Sequence, residues 1–416
     1  MLANVDIVIA GGGMVGVSLA LQLDALLPPD ISIVLVEGFF LPDPEASDAT
    51  EYHPSFDARS TALSYSSRLI YERMQVWDAL QSWLCPIESI HVSSRGRFGS
   101  AVMKAQEYDW TALGYVVENA WLGRSLLQAL YRRDRVRICS PAKVTAVEAS
   151  EAGVRLGLDG PERLSQLDAG LLLVADGSDS GLRQQLGVAV SEKSYGQHAL
   201  VANVSFAEPH GGCAYERFTP DGPLALLPLL PADDANRCGL VWTLPPAEAQ
   251  HLLACPQDEF LQALQMRFGY RLGRLQQVGE RSTYGLSLLQ ANEQVRQGVV
   301  VMGNAAHALH PVAGQGCNLA LRDVAELGRV LCEGLAAGLP VGDVGMLQRY
   351  QQRQSADQYK TIQLSDRLPG LFMHQDPLLG LGRDLALSGL DILPGLKREF
   401  VRHAAGVAGP GGGLHG

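Results

Sequence analysis

Two glycine-rich segments hold the residues of this 416-residue chain whose types and spacing could do chemistry. The first is Gly11-Gly12-Gly13-Met14-Val15-Gly16. The second starts at Gly303-Asn304, passes His307 and His310, and continues as Pro311-Val312-Ala313-Gly314-Gln315-Gly316-Cys317-Asn318. Gly11, Gly13 and Gly16 stand in GxGxxG spacing. Gly11 permits a tight turn, Gly13 lets backbone approach a pyrophosphate, and Gly16 lets helix and strand pack closely. Met14 opens the helix at whose N-terminus that phosphate would sit. Glu37 ends an apolar run at the distance where an acid accepts from ribose hydroxyls. Between the two segments lies Asp176-Gly177-Ser178, followed by Ser180 and Arg183. Asp176 suits either a sugar or ribityl hydroxyl, or a plain helix N-cap. Asn304 could reach a polyol hydroxyl. The glycines after Pro311 open a helix whose free N–H groups and positive dipole end suit the anionic edge of a flat ring. One FAD gripped from both ends of the sequence satisfies all of these features, and it implies redox chemistry.

The elements that must position these residues read as an α/β unit. Residues 5–10 and 31–36 are apolar runs of the kind that form strands buried on both faces. A helix from Met14 to Leu27 joins them and stops at Pro28-Pro29. Leu122–Leu130 reads as a helix, 144–148 with 154–158 as a hairpin, and Leu171–Val174 as another buried strand leading into Asp176. From Ser194 to Thr243 alternation predicts a separate antiparallel sheet, and residues 258–268 a helix. Gly298–Met302 is one more buried strand, and Leu319–Leu335 a long helix. Beyond Leu347 the chain reads as helical to Phe400, broken at Pro369, Pro377 and Pro394, with a loose tail at 409–413. Residues 41–56 read as a Pro-rich acidic surface loop. The expected division is a discontinuous FAD-binding domain (1–75, 106–185 and 275–345), a substrate domain (76–105 and 186–274) and a C-terminal helical region (346–416).

Composition narrows the function classes. The chain is 47% hydrophobic, 19% charged and carries a net charge of -11, which argues for a globular protein and against nucleic acid as a partner. Nine acidic residues precede the first basic one, Arg59, so the N-terminus lacks the basic region of a signal peptide. The seven cysteines are odd in number and show no CxxC spacing, which predicts reduced thiols, no zinc site and a cytoplasmic protein. His307 and His310 are read as hydrogen-bonded structural histidines rather than catalytic ones. Arg59 and Arg124, taken alone, are ordinary surface arginines, with Arg124 opening the stretch Ser125–Leu130.

Taken together, Gly11–Gly16, Asp176-Gly177 and Gly303-Asn304 resemble the three motifs of the group A flavoprotein monooxygenases, the para-hydroxybenzoate hydroxylase-like enzymes. Within them the chain resembles the ubiquinone-biosynthesis hydroxylases. Three stretches carry that likeness: Phe56-Asp-Ala-Arg-Ser-Thr-Ala-Leu-Ser64, Tyr215-Glu-Arg-Phe-Thr-Pro-Asp-Gly-Pro-Leu-Ala-Leu-Leu-Pro228 and His310–Asp323. Asn304 stands where the family usually has Asp, and in this the chain is similar to the member that hydroxylates 2-polyprenyl-6-methoxyphenol. The resemblance implies non-covalent FAD, NAD(P)H as a transient reductant, and O2 activated as a flavin C4a-hydroperoxide that attacks an electron-rich phenol. It places Arg59 and Arg124 by the flavin, and Asp176, Gly303 and Asn304 along the ribityl–pyrophosphate part. Pro311, Gly314, Gly316, Cys317 and Asn318 would wrap the ring. The positioning residues at the reacting centre would be Arg59, Pro311, Gly314 and Gly316, with no general base. The substrate wall would come from Phe218 and the run Gly222 to Pro228, with Gly222, Pro223 and Leu224 in front.

The implied substrate is a polyprenylated phenol that lives in the membrane. The Leu-rich stretch from Leu378 to Leu396, edged by Lys397, Arg398 and Arg402, fits three roles: peripheral contact with the inner face of the cell membrane, ordinary packing, or docking of other ubiquinone-biosynthesis proteins. Flavin halogenases are a rival, but their WxWxIP motif is missing, and Trp242 stands alone. Geranylgeranyl reductases and a non-catalytic FAD-fold scaffold are the other two.

Overall fold

The computed structural model describes residues 3–44, 59–95, 99–150, 153–160, 166–232, 235–310, 314–373 and 394–407. Pro311, most of the acidic loop, the stretch Leu378–Leu393 with Pro377, and the glycine tail lie outside the described residues.

The first sheet has a parallel centre. Ala3–Ala10 lies between Gln166–Val174 and Ile33–Val36. Val299–Val301 pairs on the far side of the former, and Val136–Cys139 on the far side of the latter. These strands are short apolar runs because both faces are covered. Ile7, Ile9, Leu35 and Leu173 pack under helices Met14–Leu26 and Gln315–Ala336, while Val8, Val34, Leu172 and Val301 face a second core. The expected hairpin, Lys143–Ser150 with Gly153–Asp159, extends this sheet antiparallel from Gln166–Val174.

The second sheet is mostly antiparallel, in the order His307–Ala308, Ser282–Ala291, Val190–Phe206, Asn236–Leu244, Gly222–Pro228, Cys213–Thr219, Ser89–Ser94, Ser100–Lys104. Its single parallel pair joins Cys213–Thr219 to Ser89–Ser94. One face buries Leu224, Leu226, Leu240 and Trp242 against helices Pro246–Ala254 and Gln257–Phe268. Ser282–Ala291 and His307–Ala308 thus join the second sheet, although they follow residue 275. A small third sheet, Ser60–Ser64, Gly114–Glu118 and Cys85–Ile87, sits between the two larger ones.

Two expected boundaries move, at Pro369 and at Arg124, while the expected break at Pro394 coincides with a helix start. Helix Val344–Met373 runs through Pro369 instead of ending there, with the loss of the one ladder bond that the missing N–H would donate. Pro394 begins helix Pro394–Ala404 as its first residue, where its missing N–H costs nothing. Arg124 lies in the second turn of a helix that already starts at Asn119.

Candidate active site

The carboxyl ends of the parallel strands form one edge, where open α/β sheets bind ligands. Three backbone bonds fix the loops that leave it: Gly11 N–H to Val36 O at 2.8 Å, Ala175 N–H to Ala10 O at 2.8 Å, and Met302 N–H to Val174 O at 2.9 Å. Gly11 has φ +111°, and a Cβ there would meet Ala175 O at 2.4 Å. A Cβ on Gly16 would stand 1.7 Å from Gly11 O, so the helix starts against the turn only because residue 16 has no side chain. Glu37 is buried, and its carboxylate accepts from the backbone N–H groups of Gly12 and, at 2.8 Å, of Phe39. It therefore braces the glycine loop as well as facing the crevice.

The Asp176 loop and the Asn304 loop are tied together by a residue to which sequence reasoning gave no role. Buried Arg183 donates from Nη1 to Ala305 O (2.9 Å) and from Nη2 to Ser178 O (3.0 Å). The helix behind Asp176, Gly181–Gln185, takes Ser180 as its N-cap, which accepts from Arg183 N–H at 3.0 Å. Asp176 is thus not the cap, although it accepts from Leu182 N–H at 3.4 Å.

Between that edge and the second sheet lies a cavity of about 760 Å³. It brings together Arg59, Asn304, Gly314, Gly316, Cys317, Asn318 and Phe218 from the expected set. Its floor is one face of the antiparallel sheet. Val92, Glu216, Ala225, Val241, Val201 and Ser282 face one another across six adjacent strands, and all line it. Strand alternation explains a correction. Leu224 points to the opposite face and is fully buried beside Trp242, so of the expected run Ala225 and Leu227 line the cavity and Leu224 does not. Gly222 and Pro223 do not line it either. Gly222 takes φ +145° at the hairpin turn, where a Cβ would meet Thr243 O at 2.8 Å.

The opposite wall is the start of helix Gln315–Ala336. Its N-cap, Gly314, has φ +59° and caps without a side chain. Asn318, in the first turn, needs a second correction. Its Nδ2 donates to Ala62 O and Gly314 O, both at 2.8 Å, and its Oδ1 accepts from Ser64 N–H (2.8 Å) and Ser67 Oγ (2.7 Å). All four bonding positions of the amide are filled, so its side chain holds the wall together and has none left for a cofactor. A Cβ on Gly316 would meet no protein atom within 4 Å, so the backbone there borders open space. Arg59 stacks over the Tyr284 ring with its guanidinium carbon 5.9 Å from the centroid. Burial pushes the Cys317 thiol up to about 12, which leaves it protonated. Phe400, Val401 and Ala404 of the C-terminal helix close the cavity's side, and Lys397 pairs with Glu107 at 2.9 Å. That helix is packed on the protein.

The remaining expected residues fall outside the cavity. Gly11, Gly13, Glu37, Asp176 and Gly303 belong to the strand-end loops, Met14 and Gly16 to the first turn of helix Met14–Leu26, and Arg124 is exposed on its helix. His307 is structural: Nε2 pairs with buried Asp323 at 2.9 Å, and the other Asp323 oxygen accepts from Gln354 (2.9 Å) and Gln358 (3.0 Å). His310 lines the cavity, packs edge-on to Tyr195, and is pushed down to about 4 by burial, so its ring stays neutral. Among the described residues no cluster of His, Cys, Asp and Glu could hold a metal ion, and no helix is long and apolar enough to cross a membrane.

A glycine turn at a strand end, a braced acidic residue beside it, and a helix N-terminus over open space are features that fit FAD. Fold and site define a flavoprotein monooxygenase. The FAD binding domain family model matches residues 73–364. The chain is 35% identical to the ubiquinone hydroxylase UbiL of Rhodospirillum rubrum over 402 residues, covering 97% of this chain and 90% of that one. It is 31% identical to the 3-demethoxyubiquinol 3-hydroxylase of Escherichia coli, covering 97% and 98%. Among solved structures, the p-nitrophenol 4-monooxygenase PnpA of Pseudomonas putida superposes with a TM-score of 0.77 over 98% of this chain and all of that one, at 17% identity, which speaks for the fold. The chain belongs to the family of FAD-dependent ubiquinone-biosynthesis hydroxylases.

Proposed function

We propose that the chain hydroxylates the ring of a polyprenylated phenol, with 2-polyprenyl-6-methoxyphenol as the substrate, using non-covalent FAD and NAD(P)H as a transient reductant. The observation that carries this reading is the cavity itself, apolar on its sheet side and closed by a helix N-terminus on the other. Bound FAD supplies the redox chemistry that activates oxygen. The chain's own residues do the rest. Gly11, Gly13, Met14 and Gly16 receive the pyrophosphate, and Glu37 the ribose. Asp176 and Asn304 hold the polyol. The N–H groups following Gly314 face the anionic ring edge. Arg59 and Gly316 border the reacting centre, and Phe218, Ala225 and Leu227 exclude water from it.

Asn304 in place of Asp supports the methoxyphenol step. The likeness to UbiL supports a second reading, another ring hydroxylation of the same pathway. The decisive experiment feeds the purified, FAD-loaded protein candidate prenylated phenols in detergent and measures coupled product by mass. Gain of one oxygen atom on 2-polyprenyl-6-methoxyphenol supports the first reading. Gain only on a later ring intermediate supports the second. NADPH oxidation without oxygenated product overturns both. A tail of several isoprene units adds apolar contact at about 25 cal/mol per Å², so short-tailed analogues are expected to show much lower kcat/KM.

A further inference from the structure

The cavity floor carries one carboxyl that the reading above does not use. Glu216 lies in the middle of strand Cys213–Thr219, directly opposite Val92 on one side and Ala225 on the other. By alternation it shares its face with Ala214 and Phe218, and all of these line the cavity. Among the described residues no hydrogen bond or ion pair reaches its carboxyl. Glu216 is half-buried with its carboxyl open to the cavity, and a carboxyl among apolar neighbours that lacks a protein donor is an acceptor for whatever fills the cavity.

We propose that Glu216 accepts the hydroxyl of the substrate ring and so selects phenols over their ethers. This rests on the phenol reading of the cavity and deepens it. Glu216 is the carboxyl set among Val92, Ala214, Phe218 and Ala225, and an apolar ligand with one donor matches that setting. On transfer, the phenol O–H bond breaks, its proton joins a Glu216 oxygen, and the ring oxygen keeps the electron pair. The negative charge moves from the carboxylate to the phenolate, which raises electron density at the ortho and para carbons. Burial pushes the Glu216 carboxyl up to about 7, within reach of neutral solution. The other titratable groups facing the cavity are Arg59, Tyr215, Glu280, Tyr284, His310 and Cys317, and burial alone accounts for the displacement of Glu216.

The test is a binding titration of the FAD-loaded protein, read from perturbation of the flavin spectrum. The probes are a 2-methoxyphenol with a long alkyl chain and its O-methyl ether. Wild type is expected to favour the phenol by roughly 10- to 100-fold, the range for a hydrogen bond to a charged group. That preference is expected to fall as pH drops through about 7, where the carboxyl takes up a proton. In Glu216→Gln and Glu216→Leu the preference is expected to shrink to a few-fold and to become flat with pH. Both variants remove a poorly solvated charge and no bond, so at pH 8 they are expected to melt no lower than wild type. An unchanged preference and pH profile in both variants would overturn the Glu216 proposal while leaving the phenol reading intact. If neither probe perturbs the wild-type flavin, the phenol reading fails, and the role of Glu216 fails with it.

Discussion

Asn318 separates two accounts of the flavin-side wall. If its amide binds cofactor, Asn318→Ala will spare the apoprotein and harm only FAD retention. The four bonds it makes instead predict that the apoprotein itself weakens. The substitution deletes bonds to Ala62 O, Gly314 O, Ser64 N–H and Ser67 Oγ. At about 1 kcal/mol per net bond, with Ser64 N–H left buried and unpaired, the loss is roughly 3–5 kcal/mol. That is a large fraction of the ~5–15 kcal/mol by which proteins are stable. At roughly 2 °C per kcal/mol in a long chain, the apoprotein midpoint should fall by roughly 6–10 °C. Asn318→Asp should be worse than Ala, because it sets a buried oxygen against two carbonyl oxygens in place of the NH₂ donor. Melting of flavin-stripped protein in parallel with FAD titration decides the matter. An Asn318→Ala apoprotein that melts with wild type yet fails to hold FAD would refute the structural account.

Gly16→Ala should destabilise the apoprotein, since its Cβ would overlap Gly11 O, whereas Gly316→Ala should leave apo stability within ~1 kcal/mol and weaken FAD binding; melts with and without FAD distinguish the two. Asn304→Asp should retain flavin at neutral pH within about threefold, because Asp keeps the acceptor oxygen that Asn304 offers a polyol hydroxyl; flavin content per mole of purified protein checks it. His310 and Glu216 predict opposite pH effects on stability. His310 is held neutral down to about 4, below the ordinary 6.5, so its contribution is lost as pH falls through that window; Glu216 is held protonated up to about 7, above the ordinary 4.5, so its contribution is lost as pH rises. Each is worth about 3 kcal/mol, so His310→Gln should expose a stability that falls from pH 4.5 to 7, and Glu216→Gln one that rises from pH 4 to 6.5, both read by denaturant unfolding of the apoprotein.

What was legible in the sequence was local. The strand, turn and helix around Gly11 are contiguous, so their spacing gives the turn and the helix packed against it. Gly303-Asn304 is legible for the same reason, as it closes an apolar strand. Asn318 was misread because its partners, Ala62, Ser64 and Ser67, lie some 250 residues away. An amide next to a glycine loop looks like a ligand until the chain that packs on it is known. Leu224 was misread through phase. In Gly222–Pro228 nearly every residue is apolar, so alternation leaves no mark of which face is which. The signal was present one strand earlier, where Glu216 and Phe218 share a parity, but using it requires the register between the two strands. Arg183 was in view beside Asp176, yet the carbonyl it grips, Ala305 O, belongs to a different motif.

Among the described residues, the segment from Val301 to Asn318 is anchored to all three sheets, and this determines which cavity residues are free of those anchors. It leaves the parallel sheet at Val301. At His307 and Ala308 it pairs with Gln290 and Leu289 of the antiparallel sheet. At Asn318 it is clamped to the strand Ser60–Ser64 of the third. The position of the ring edge over the substrate floor is therefore a matter of backbone and of one amide. The floor residues take no part in those anchors. Val92, Ala214, Glu216, Ala225 and Leu227 project from strands that are held by their own ladders. A substitution among them changes the volume or polarity of the chamber while the loop keeps its three attachments. Under the proposed function, substrate class is thus assigned to the side-chain face of one sheet and cofactor class to the strand ends of another.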